Sequence, residues 1–198
     1  MKKTIVALSV ITLAGCASLT PTKERFEGYK IYDIKSDISS SLTMKLSNSL
    51  KEAMQENADN VKFENNLPPA TLPDDVGRFE LVNPFENAKG FAALAGASMR
   101  VPTCKDAVIQ ATSNDSFAGA ENTTFFTCLM PYKEGYKMNV YYAFTKVSGG
   151  FSSEALGRAL AQSVVGDSSQ FIPRTVAALE TAITSNGVTL NLIDSYPN

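Results

Sequence analysis

The side chains that most often carry chemistry are sparse in this 198-residue chain, and histidine is missing altogether. Without an imidazole there is no Ser-His-Asp or Cys-His relay, no HExxH zinc site and no switch titrating near neutrality. A serine nucleophile served by lysine needs Ser-x-x-Lys. No lysine here has serine three positions before it; Lys23 has Thr20 instead. GxSxG, GxGxxG, the P-loop and the alternating acids of an EF-hand loop are also absent from the sequence. The chain therefore reads as non-enzymatic, with no metal ligands and no cofactor predicted.

Three groups of residues remain. Asp74-Asp75 stands just before Gly77 in a proline-rich stretch. Two carboxyls can work as acid and base or nucleophile on a glycan when they face each other about 5–9.5 Å apart across a cleft. Adjacent acids in a turn instead read as solvated, so a carboxylate-based cell-wall hydrolase stands as an alternative only. Tyr132, Tyr136 and Tyr141, with Tyr142 beside them, could stack on a sugar or a peptide, since tyrosine offers a broad ring with a polar tip. They are the candidate ligand or partner surface of a second alternative, a ligand-binding or inhibitor module. The third group is the three cysteines, Cys16, Cys104 and Cys128.

The elements that must position these groups follow from periodicity. Phe26–Ile34 predicts a first strand, and Ser36 or Asp37 the cap of a following helix. Ile38, Leu42, Leu46, Leu50, Ala53 and Met54 give that helix an apolar stripe opposite a polar face. Val61–Phe63 predicts a short strand. Pro68, Pro69 and Pro73 then interrupt regular structure, making 65–77 a sub-boundary. Arg78–Val82 predicts an edge strand, and the small apolar run 89–99 a buried short helix or an exposed contact surface. Residues 105–112 and 123–130 alternate as strands about a loop at 113–122. Met138–Val147 alternates too, so the three make an antiparallel meander with one face for a core. Leu156, Leu160, Ser163 and Val164 predict a helix from Ser152 to Gly166. Ile172, Val176, Leu179 and Ile183 predict another, with Pro173 near its first turn and Glu180 and Thr184 towards solvent. Asn186-Gly187 stops it, and Val188–Ile193 is a last strand. The fold class is α+β: a meander with a disulfide-linked hairpin, packed by amphipathic helices.

The amino terminus says where such a domain sits. Met1-Lys2-Lys3 is positive, and Thr4–Ala14 is too short an apolar run to span a hydrocarbon core that needs about 20 residues. It reads as a secretory signal. Leu13-Ala14-Gly15-Cys16 resembles the lipobox of bacterial lipoproteins at all four positions. That resemblance covers residues 1–16 and implies cleavage before Cys16, diacylglycerol on its sulfur and an acyl chain on its new amino group. Several chains together hold a soluble domain at a bilayer, where one holds it marginally. Ala17 lacks the aspartate that signals inner-membrane retention in that family. The implied address is therefore the outer membrane, with the domain in the periplasm and the inner membrane or cell surface as alternatives. Residues 1–15 are then the signal peptide, 16–25 the acylated cysteine and a flexible tether, and 26–198 a single domain.

Setting Cys16 aside leaves an even pair, and in an oxidising compartment Cys104 and Cys128 are expected to be bonded. Folding the two strands about Ser116 places the cysteines opposite each other. There is no CxxC motif, which points to a structural rather than a redox bond. The formal charge of −2 argues against nucleic acid. The expected function is a membrane-anchored envelope lipoprotein that binds, scaffolds or assembles. Its expected partners are the membrane, through the anchor, and another envelope protein or a cell-wall component.

Overall fold

Alternating apolar residues and two amphipathic stripes assemble, in the computed structural model, into a six-stranded sheet with the two described helices on one face. Residues 22–87, 89–90, 99–117, 121–148 and 168–197 are described. In chain order the elements are β1 (Thr22–Lys35), α1 (Ser40–Asn57), β2 (Lys62–Asn65), β3 (Glu80–Val82) and β4 (Val101–Thr103). They continue with β5 (Ile109–Phe117), β6 (Glu121–Tyr132), β7 (Gly135–Ser148), α2 (Ser168–Thr184) and β8 (Asn191–Tyr196). Six strands form a sheet in the order β2-β5-β6-β7-β1-β8, while β3 and β4 pair separately. Each described pairing is antiparallel. The fold is α+β, as the sequence predicts.

Both helices lie on the face bearing Tyr32 and Ile34 of β1, Phe125 and Leu129 of β6, and Met138 and Val140 of β7. α1 starts where the Ser39 hydroxyl accepts the Leu42 N–H at 3.1 Å. The cap is therefore Ser39 rather than Ser36 or Asp37, because β1 runs to Lys35 and only Ser39 stands three residues before a free helical N–H. Leu46, Leu50, Ala53 and Met54 are buried, as the stripe requires. On α2, Ile172, Val176, Leu179 and Ile183 are all buried in the same core. Asn186 ties the two helices together by donating to Ser49 Oγ at 2.9 Å. Gly187, at φ +78°, follows α2 as predicted.

Several expectations need correction. Pro173 lies inside α2, beyond its first turn; burying the stripe around it offsets the lost hydrogen bond. Glu180 does not face open solvent. It accepts a hydrogen bond from the Tyr32 hydroxyl and sits 3.6 Å from Lys30, both on the helix face of β1. The last strand is Asn191–Tyr196 rather than 188–193, since Val188 and Leu190 pack onto the core before the strand begins. The predicted helix between Ser152 and Gly166 lies outside the described residues, as does most of the run 89–99.

The meander is present, but its register differs. β5 begins at Ile109 and pairs on to Phe117 with Glu121; Ser116 stands opposite Asn122 inside the ladder and is not the turn. Cys128 is opposite Gln110. Lys105-Asp106 forms a turn, with Asp106 at φ +59°, that breaks the expected strand 105–112. Cys104 reaches Cys128 from the end of β4 instead, and the disulfide closes with the Cα atoms 6.4 Å apart. The Cys104 N–H donates to Gln110 Oε1 at 2.9 Å, which fixes the approach. The cysteine pair is right, and the hairpin geometry behind it is wrong.

The sheet also buries both faces, not one. Residues 73–82 and 101–104 lie as a strap across the face opposite the helices, over Phe126, Cys128, Met130, Tyr132, Tyr141 and Ala143. Its latches are specific. The Lys133 N–H donates to the Pro73 carbonyl at 2.9 Å, and Lys137 Nζ to the Val76 carbonyl at 2.7 Å. The Phe79 N–H donates to Asn139 Oδ1 at 3.2 Å in the interior. The disulfide pins the far end. The proline-rich stretch thus leads into this covering segment.

Candidate functional site

The three tyrosines singled out from the sequence do not share a groove. Strand alternation puts Tyr136 on the helix face, fully buried, with its hydroxyl 2.6 Å from Thr43 Oγ1. Tyr132 and Tyr141 lie on the strap face and are buried as well. Tyr132 donates to Asp33 at 2.5 Å, with the ammonium groups of Lys35 and Lys137 5.2 and 6.0 Å from its ring centre. Its pKa is raised, chiefly by burial and then by the Asp33 hydrogen bond. Only Tyr141 reaches an opening.

Asp74 and Asp75 serve the strap. Asp74 pairs with Lys133 at 2.5 Å and Asp75 with Lys137 at 2.6 Å, both carboxylates largely exposed. The Lys137 hydrogen bond lowers the Asp75 pKa. Each acid is thus engaged by its own lysine instead of facing the other across a cleft. Among the described residues no three cysteine, aspartate or glutamate side chains converge as a metal site. No helix among them is long and apolar enough to cross a membrane.

The opening that Tyr141 reaches is a cleft of about 350 Å³ between β1, the strap and the carboxyl end of β8. Its wall is a chain of aromatic rings. Phe79 packs on Tyr141 with centroids 5.2 Å apart, and Tyr29 meets Phe79 edge-on at 5.8 Å. Tyr196 stacks on Tyr29 at 6.2 Å and is 58% exposed, the outermost ring. Pleating brings this about. Glu27, Tyr29 and Ile31 share the strap face of β1, and β8 pairs Tyr196 with Tyr29. The Asn139 latch sets Phe79 down beside them.

Polar groups edge the rings in matched pairs. The Arg78 guanidinium lies 5.2 Å from the Tyr29 ring centre, donates to the Tyr29 hydroxyl at 3.2 Å and stands 3.6 Å from Asp194. Arg25 bonds Glu27 at 2.5 Å. The Tyr141 hydroxyl lies beside this second pair. Burial, first of all, raises its pKa; Glu27 adds to the shift and Arg25 opposes it. The oxygen is buried and makes no hydrogen bond of good geometry, with Arg25 and Glu27 as its near polar neighbours. A buried hydroxyl left unsatisfied costs about 1–3 kcal/mol.

Two other hollows lack this combination. A groove of about 440 Å³ between α1 and α2 is lined mainly by alanine, serine and two glutamates, Glu52 and Glu56. A hollow of about 320 Å³ beside α2 has an apolar floor, with Lys30 and Glu180 paired at its rim. Neither contains an orphaned polar atom among the described residues. The cleft's own residues are scattered along almost the whole domain, from Arg25 to Tyr196. The local signal is the run Arg25-Phe-Glu-Gly-Tyr29, whose alternate positions put Arg25, Glu27 and Tyr29 on one face of β1.

Comparison with known proteins adds little. No protein-family model matches the chain. No curated protein matches it either. Among solved structures it is similar to a conserved protein from Geobacillus kaustophilus, with 10% identity and a TM-score of 0.32. That match covers 84% of this chain and 99% of the other.

Proposed function

We propose that this chain is a lipid-anchored lipoprotein of the bacterial envelope whose folded domain binds a ligand or partner without transforming it, through the cleft at Tyr29, Phe79, Tyr141 and Tyr196. The address rests on the lipobox resemblance at Leu13–Cys16. The binding role rests on one observation above all: a concave cleft of about 350 Å³ walled by a continuous chain of aromatic rings. Small-molecule sites are concave, mostly apolar and marked by a few converging polar groups. The cleft has that form. Its charged groups are held in ion pairs, which suits recognition; a general acid or base needs a group free to take or give a proton.

The test is ligand-dependent stabilisation. A ligand that binds only the native state raises the melting temperature by mass action. Detergent-solubilised mature protein is melted with fractionated envelope extract, beside Tyr29→Ala and the remote surface variant Leu67→Ala. A fraction that stabilises the parent and Leu67→Ala, and not Tyr29→Ala, supports the reading. Equal stabilisation of all three proteins, or of none, overturns it.

A further inference from the structure

We infer that the cleft takes an uncharged sugar ring of an envelope glycan; the inference rests on the binding role proposed above and names its ligand class. A pyranose has flat C–H faces and a rim of hydroxyls that are donors and acceptors at once. The cleft answers both features. Tyr196 and Tyr29 provide ring faces with polar tips, Tyr196 more than half exposed. Guanidinium and carboxylate groups, Arg78 with Asp194 and Arg25 with Glu27, flank the rings. Such planar forks bond two neighbouring oxygens at a time, as adjacent ring hydroxyls present them.

The charge balance decides between ligand classes. Two cations and two anions edge the rings, each already paired. An anionic ligand, whether phosphate or uronate, or a cationic one has to displace a partner from one of these pairs and leaves that partner's charge unmatched. A neutral ligand rich in hydroxyls loses nothing to that pairing. The volume, about 350 Å³, stands near the lower end of small-molecule sites at about 300–1,000 Å³. That suits a single ring with its linkages rather than a folded partner.

The experiment uses detergent-solubilised mature protein and defined probes. The neutral probes are chitotetraose, maltoheptaose and mannotriose; the comparators are tri-galacturonate and an uncharged hexapeptide. Saturation-transfer NMR and melting curves read binding. The expected result is binding of at least one neutral oligosaccharide, weakened tenfold or more by Tyr29→Ala and by Tyr196→Ala. Tyr196→Phe, which keeps the ring, restores it, and Leu67→Ala leaves it unchanged. Melting curves of the free variants show whether each is folded. Binding only of the galacturonate or the peptide, lost in Tyr196→Ala, overturns the sugar assignment and leaves the binding site standing. Neutral-sugar binding unaffected by both tyrosine variants overturns the location. No binding of any neutral probe overturns the inference, and no stabilisation by envelope extract as well overturns the binding role with it.

Discussion

Tyr141→Phe should make the free protein more stable. The residue is 3% exposed, and its ring packs on Phe79, a contact that phenylalanine keeps. What the substitution removes is one buried oxygen without a partner. An unsatisfied buried polar group costs about 1–3 kcal/mol, and the nearby Arg25–Glu27 pair offsets part of that, so the gain is set at about 1 kcal/mol. In a protein of this size that raises the melting temperature by about 2–4 °C. Thr127→Val is the matched control. The Thr127 hydroxyl is likewise buried and unpartnered, but strand alternation puts it with Phe125 and Leu129 on the helix face, away from the cleft. Both variants should melt higher by calorimetry. A lower melting temperature for Tyr141→Phe would mean that the hydroxyl is satisfied in the free protein.

Three further outcomes follow from the fold. Gly135 sits at φ +147°, where an added Cβ would lie 1.9 Å from the Ile34 carbonyl oxygen, whereas a Cβ at Gly77 meets nothing within 4 Å. Gly135→Ala should therefore cost about 3 kcal/mol or more and Gly77→Ala less than about 0.5, read as melting temperatures. Breaking the 104–128 disulfide with a double serine substitution should cost about 3–4 kcal/mol, the loop-closure value for a separation of 24 residues. It should also weaken cleft binding, because the bond pins the strap that carries Arg78 and Phe79; unchanged stability would contradict that role. Burial raises the pKa of Tyr32, Tyr132, Tyr141 and Tyr142. These phenols hold their protons in the native state while the unfolded chain ionises near pH 10, so their contribution is full below that pH. Stability should fall as pH rises beyond it, and a flat alkaline profile in denaturant titrations would contradict their burial.

The helices and most strands were legible because each buries a face with its own period. The stripes Leu46–Met54 and Ile172–Ile183 predicted which residues meet the sheet. The hairpin register was not legible, because both faces of β6 are apolar: Phe125-Phe-Thr-Cys-Leu-Met130 alternates nothing, and only pairing with β5 and β7 sets it. That same run signals a strand covered on both sides, which is why a one-faced meander was the wrong expectation. The cleft was the least legible part. Tyr29, Phe79 and Tyr196 converge only because the strap folds back and β8 returns beside β1. Tyr132 and Tyr136, close in sequence, are separated to opposite faces by the same pleat that unites distant rings.

The proposed role needs a domain held at the envelope membrane by lipid, with its cleft free to bind. Mass spectrometry of the amino-terminal peptide from membrane-purified protein tests that most directly. The prediction is a chain that begins at Cys16, with a diacylglyceryl group on the sulfur and an acyl chain on the amino group. An unmodified Cys16 still joined to residues 1–15 would contradict it.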